Sequence, residues 1–241
     1  MYRIRIVLPK GHSAEYRFLD ILHDALTTGM IAAGASPESV IGRSAGLWHF
    51  AALGWKNKSA CRVHTLVAGA ADPKIAEALE RIRAEDIVYV RAKTGEAVDF
   101  SGAEIRPDPA PIAPGQKALG VVMLSPLAIS QRNGSGRWHS VMTEVDLGAA
   151  ISARLSRIAK RPVSIRAEPD TLYLRTRPQH STLVPVKQMN GGSPAFVIGM
   201  RAPLVIRGKP EDLRLAWYGG IGEKNRNGFG CIGLAERGIG R

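Results

Sequence analysis

The order of periodicities in the first hundred residues is the tightest constraint on the fold. Tyr2 to Leu8 alternates, with Tyr2, Ile4, Ile6 and Leu8 on one face and Arg3 and Arg5 on the other, the two-residue period of a half-buried strand. Pro9-Lys10-Gly11 ends it, and Ser13 is placed to cap a helical run whose apolar face is Phe18, Leu19, Leu22, Leu26 and Met30. Ser36-Pro37 opens a short helix. Leu47–Gly54 and Arg62–Val67 read as strands joined by a basic tip that holds Lys56 and Lys58. Asp72-Pro73 then pairs an N-cap with a proline at the first helical position, and Ile75, Ala78, Leu79 and Ile82 form the buried face behind it. Ile87–Arg91 resumes strand, and extended chain runs to Ile105. Strand, helix, strand, strand, helix, strand is a ferredoxin-like unit, the architecture also used by RNA-recognition domains.

The segment RPDPAPIAPG, residues 106–115, holds four prolines and reads as a spacer. The expected organisation is therefore an N-terminal domain over residues 1–107, a linker over 108–115 and a C-terminal domain over 116–241. The second half opens with a strand at Leu119–Leu124 and a hairpin-like turn, QRNGSGRWH, at Gln131–His139. Thr143 with Asp146 three residues on resembles a capping box. The helix after it buries Leu147, Ile151, Leu155 and Ile158. Its other face carries Arg154, Arg157 and Arg161, with Lys160 beside them, and Pro162 stops it. Val163–Ala167, Thr171–Arg177, Leu183–Gln188, Ala195–Arg207 and Leu213–Trp217 read as extended. The expected class is α+β: two tandem ferredoxin-like (RRM-like) domains, the second with an inserted basic helix.

Near the C-terminus, Trp217–Leu234 holds six glycines, among them Gly222, Gly228 and Gly230, around the polar cluster Glu223, Lys224, Asn225, Arg226 and Asn227. Successive backbone N–H groups in glycine turns can form an anion-binding concavity, and Lys224 and Arg226 add charge to it. The plainer alternative is a glycine-rich hairpin turning at Asn227-Gly228. No Gly-Lys-Ser/Thr follows, so this is no Walker loop. The chain also ends before the acidic residue that a dinucleotide fingerprint requires.

Charge narrows the ligand. The net charge is +12. Residues 1–120 hold 15 Lys/Arg and 13 Asp/Glu, whereas residues 121–241 hold 18 and 8, so ten of the twelve net charges lie in the second half. A one-sided field of that size suits a polyanion, nucleic acid before membrane surface. No apolar run approaches the roughly 18–20 residues of a membrane span, and MYRIRIVLPK lacks a signal-peptide apolar core, so a cytoplasmic location is expected. Cys61 and Cys231 are isolated from each other and fit no metal-spaced pattern.

Three segments in the same order and spacing resemble the CRISPR-associated endoribonucleases that cut repeat RNA into guide RNAs, members of the repeat-associated RNA-binding superfamily. GIGEKNRNGFGCI resembles their signature glycine loop, VMLSPLAI the strand that opens their second domain, and DPKIAEALERI the second helix of their first. The resemblance implies a metal-independent, cofactor-free reaction. In it the ribose 2′-OH attacks the adjacent phosphate, leaving a 2′,3′-cyclic phosphate and a 5′-OH. It also implies a CRISPR repeat stem-loop as partner, retention of the product, and contact with other CRISPR effector subunits.

Such a reaction needs a base, an acid and positive charge at the phosphorane. The family histidine falls by position nearest Arg43-Ser44, where this chain has none. His49 and His23 are the alternative proton carriers. Arg43, which stays protonated, would act on charge or position, with Ser44 beside it. For RNA contact the candidates are Arg154, Arg157, Lys160 and Arg161 on the helix, Arg132, Arg137 and His139 around the aromatic Trp138, and the loop residues Gly222, Lys224, Asn225, Arg226, Gly228 and Gly230. The missing histidine leaves open a catalytically silent RNA-binding subunit of the same architecture.

Overall fold

The computed structural model describes residues 1–42, 47–56, 60–92, 94–131, 137–189 and 192–237. Its N-terminal half runs β1 (Tyr2–Val7), β2 (Ala14–Tyr16), α1 (Leu19–Ala32), α2 (Pro37–Val40), β3 (Trp48–Lys56), β4 (Cys61–Ala70), α3 (Pro73–Arg81), β5 (Val88–Val90), β6 (Ala97–Asp99) and β7 (Glu104–Pro107). The apolar face of β1 is buried as expected, with Ile4 and Ile6 in the core beside Leu22, Leu26 and Met30 of α1 and Ile75 and Leu79 of α3, but Arg3 on the opposite face is buried too, so the strand is covered on both sides there. β4 lies between β3 and β1, and β1 between β4 and β7, all antiparallel. With β1, β3, β4 and β7 as the four strands, that is the order four-one-three-two of a ferredoxin-like unit.

Two local readings differ. The fourth strand is Glu104–Pro107, with Arg5 opposite Arg106, not Ile87–Arg91. Ile87 is buried, but Val88–Val90 pairs with the nearby Ala97–Asp99, and closing so short a loop costs less entropy than reaching β1. Ser13 caps no helix, because Ala14–Tyr16 first pairs with β4 and α1 begins only at Leu19.

The C-terminal half repeats the plan with β8 (Ala118–Met123), α4 (Leu147–Ala159), β9 (Ile165–Pro169), α5 (Thr171–Thr176), β10 (Ser181–Gln188), β11 (Pro194–Met200), β12 (Leu204–Gly208), α6 (Pro210–Gly219) and β13 (Ile232–Leu234). Its sheet order, β13-β8-β12-β9, is again four-one-three-two. The basic helix α4 is therefore this unit's own first helix rather than an insertion. What is inserted is α5 and the β10–β11 hairpin, whose Val186 and Val197 pack into the N-terminal core.

The expected strand Thr171–Arg177 is helical because Asp170 accepts the N–H groups of Leu172 and Tyr173 at 2.9 and 3.0 Å. Leu213–Trp217 lies inside α6, which carries Pro210 at its start and Glu211 and Asp212 in its first turn. Five alternating residues are too few to separate the two periods. The cap of α4 is Asp146, which accepts the Ala149 N–H at 2.9 Å, and Met142–Glu144 is a separate 3-10 turn rather than half of a capping box.

The halves meet around a buried cation. Arg3, 1% exposed, places Nε 2.9 Å from Asp108, which also takes Arg5 at 3.2 Å. The Arg3 guanidinium lies 4.0 Å from the centre of a Trp217 ring, and the Trp217 indole donates to the Asp108 carbonyl at 3.3 Å. A small apolar cluster, Ala51, Leu53, Val67, Leu124 and Cys231, fills the space between the sheets. The proline-rich segment is thus tied down at Asp108. Among the described residues no helix is long and apolar enough to cross a membrane.

Candidate nucleic-acid interface

The glycine-rich stretch leaves α6 and folds back as a tight loop around the 3-10 turn Asn225–Asn227. Asn225, 1% exposed, braces it: Nδ2 donates to the Ile221 and Phe229 carbonyls, each at 3.0 Å. The N–H groups of Gly220, Ile221, Glu223, Asn227, Gly228 and Gly230 donate to the carbonyls of Ala216, Gly230, Ala128, Lys224, Asn225 and Pro126. Those six amides are engaged within the protein and are not open to an anion.

Gly222, Gly228 and Gly230 are buried, and the reason is packing. A Cβ on Gly228 would come within 3.1 Å of Phe50 and Leu19 of the N-terminal half, and one on Gly230, at φ +71°, would overlap the Ile221 carbonyl. Asn225 and the three glycines form the scaffold of the loop, and Lys224 is its exposed cation. Gly230→Ala should lower the unfolding free energy by more than about 2 kcal/mol, since both φ and space forbid the methyl. Urea unfolding of the two proteins measures it.

Docked this way, the loop meets α4. Lys224, Arg226 and Asn227 line one wall of a cleft of about 390 Å3, and Arg154, Arg157 and Ile158 line the other. Arg154 and Arg157 also line an adjoining cavity of about 650 Å3 that takes in Ser130, Gln131, His139 and Glu223. Burial first, then repulsion from Arg157, pushes the Arg154 guanidinium down to about 10, with Glu223 opposing the shift and Arg226 adding to it. At neutral pH Arg154 stays charged, in a site that favours an arriving anion. The Lys224 ammonium lies 5.9 Å from the centre of a Trp138 ring. Arg137 beside it is exposed, and the His139 N–H is fixed to the Ile129 carbonyl at 3.0 Å.

Not every predicted residue joins this groove. α4 ends at Ala159, and Lys160, exposed at φ +51°, turns the chain away. Arg161 consequently leaves the ridge, donating to Asp212 at 2.6 Å and to the Pro162 carbonyl at 3.1 Å. The 3.6-residue spacing that united Arg154, Arg157 and Arg161 assumes a helix that runs two residues further than α4 does. Arg43, Ser44, Arg132 and Lys58 lie outside the described residues.

The chain on both sides of residues 43–46 is nonetheless at the groove. Arg226 donates to the Val40 and Gly42 carbonyls at 3.1 and 3.3 Å, and Leu47 lines the cleft. His23 stands close to that point. It stacks on Trp48 with ring centres 5.4 Å apart, its Nδ1 lies 3.0 Å from Asp24 Oδ1, and the Trp48 indole donates to the same Val40 carbonyl at 3.2 Å.

His49 does not belong to the groove. It is 0% exposed, wedged between Gly69 and Gly220 at the junction of the halves. Burial, then the charge of Arg3, holds its pKa well below the usual imidazole value. An imidazole sealed there cannot reach a phosphodiester, which removes the expectation that His49 is the base. Its strand position was legible, but the opposing glycines that enclose it were not. Because its folded pKa is depressed, protons bind the unfolded chain first. Stability should then fall as pH drops below about 6.5, by up to about 1.4 kcal/mol per pH unit from this group. Denaturation at pH 7.5 and 5.5, with His49→Gln as control, checks the sign.

The chain thus combines two ferredoxin-like units with a cationic groove between the first helix of the second unit and a glycine-rich loop. The model of the C-terminal domain of the CRISPR-associated protein Cas6 matches residues 109–234, and the chain belongs to the Cas6 family. The fold is similar to three solved structures in particular. The product of a Cas6-related gene from Pyrococcus furiosus has a TM-score of 0.66 at 15% identity, with 98% of each chain covered. A RAMP protein that binds different RNA substrates gives 0.59 at 16%, over 97% of this chain and 99% of that one. A CRISPR-associated protein Cas6 gives 0.59 at 10%, over the same shares. No curated protein sequence matches.

Proposed function

We propose that this Cas6-family protein binds the stem-loop of a CRISPR repeat RNA in the groove and cuts it without a metal ion. The observation that carries the reading is the meeting of Arg154 and Arg157 with Lys224 and Arg226 across one cleft, from segments about 70 residues apart in sequence. A solved protein of similar fold binds RNA substrates. In the reaction the 2′-oxygen forms a bond to phosphorus as the P–O5′ bond breaks. The 2′-proton goes to a base, and the 5′-oxygen takes a proton, leaving a 2′,3′-cyclic phosphate and a 5′-OH. His23 is the better candidate for proton work, because it is partly open and stacked beside the residues that lead to Arg43. Arg43 would neutralise the phosphorane and Ser44 would position the 2′-OH. The product stays in the groove, where other CRISPR effector subunits meet it.

The second reading is a silent RNA-binding subunit. The burial of His49, together with the lack of a histidine at positions 43–44, favours it. The pure protein with its own repeat RNA in excess chelator separates the two. Cleavage that a 2′-deoxy at the cut site abolishes, and that His23→Ala slows at least about tenfold as loss of a general base would, is expected. Tight binding without cleavage establishes the silent subunit, and cleavage that survives the 2′-deoxy contradicts the mechanism.

A further inference from the structure

The groove changes character along its length. Around Lys224 and Arg226 its lining is cationic, but in the adjoining part Arg154 and Arg157 share the wall with Ser130, Gln131, His139 and Glu223, and Glu144 and Asp146 line it as well. Glu223 is fixed there from two sides. Its N–H donates to the Ala128 carbonyl at 2.8 Å, and its Oε1 accepts the Ser130 hydroxyl at 2.7 Å and the Ser130 N–H at 3.3 Å. Two donors occupy the two lone pairs of Oε1, and Oε2 is left without a hydrogen-bond donor among the described residues, in a cavity it shares with the Arg154 guanidinium that it helps keep charged.

A carboxylate held in a phosphate groove repels phosphate. Its productive partner is a hydrogen-bond donor. On the bases of an RNA strand, adenine, cytosine and guanine carry exocyclic amines, and uracil carries none. Arg154 and Arg157 line both parts of the groove. A nucleotide whose phosphate rests on them has its base within reach of the Glu223 wall.

We propose that Glu223, set by Ser130, reads a base: it accepts a hydrogen bond from the exocyclic amine of one adenine, cytosine or guanine of the bound strand. This rests on the groove being the RNA site. The carboxylate therefore supplies sequence preference, and the arginines supply affinity.

The test is a scan of the repeat stem-loop in which each amine is removed singly, with inosine for guanosine, purine riboside for adenosine and zebularine for cytidine. At one position, loss of the amine should weaken binding to the wild-type protein about five- to tenfold, as expected for a hydrogen bond to a charged acceptor. Glu223→Ala should bind the two RNAs of that pair alike, which separates the contact from any change in the stability of the RNA itself. Ser130→Ala, which frees the carboxylate, should narrow the gap, and it makes the same test if Glu223→Ala does not fold. The proposal is overturned if no single amine matters to the wild type, or if the gap persists in both variants. Strong, salt-sensitive binding with no such amine would sink this inference and leave the RNA reading standing. Failure of the wild type to bind any stem-loop would sink both.

Discussion

Replacing Arg154 and Arg157 together by alanine should weaken binding of a repeat stem-loop about 100-fold, at about 1.5 kcal/mol for each charge-assisted contact. It should also reduce the slope of log K against log salt by nearly two, because each lost phosphate contact removes about 0.9 of a released counterion on a duplex. The two side chains stand on one face of α4 and line both parts of the groove, so a strand that follows it meets them in succession. Arg161→Ala is the internal control. Its guanidinium is held by Asp212, which is only 3% exposed on its side chain. That variant should leave the salt slope unchanged and lower the unfolding free energy by about 1–3 kcal/mol, because a buried carboxylate loses a donor. Fluorescence-polarisation titrations from 50 to about 300 mM salt, a range over which counterion release dominates, separate the two classes of arginine.

Asp108→Ala should be the most destabilising single change at the junction of the halves, at about 3–5 kcal/mol, the usual consequence of leaving a buried charge unpaired. Arg3 is buried against Trp217, to whose carbonyl it also donates, and Asp108 is its ion-pair partner. Arg3→Met should cost less, because it removes the buried cation itself and leaves Asp108 with Arg5 at 3.2 Å. Urea unfolding of both variants tests the order. If Arg3→Met were the costlier, the stacking on Trp217 would matter more than the charge pair.

Much of this was legible in the residues. The alternation of β1, the Asp72-Pro73 start of α3 and the leucine face of α1 each followed from local periodicity, and two such series gave the tandem fold. The arginine face of α4 and the cations of the glycine loop were equally visible. What lay beyond sequence was their meeting. Gly228 and Gly230 read as a flexible phosphate cradle, yet they serve to press the loop against Phe50 and its own Ile221 carbonyl. Asn225 looked like a ligand contact and is a brace. Arg161 shares the spacing of Arg154 but lies past a left-handed residue, Lys160, whose conformation no periodicity announces. Asp108 sat in a proline-rich spacer, and only the tertiary fold reveals that Arg3 needs it.

Hydrogen-exchange protection on binding tests the central claim most directly, because it locates the RNA without altering the protein. With a saturating repeat stem-loop at low salt, protection should rise in peptides covering Ala149–Ala159 and Gly222–Gly228 together, while the outward strand edge β9 stays unchanged. Protection confined to other segments, or none at RNA concentrations that saturate binding, would contradict the account.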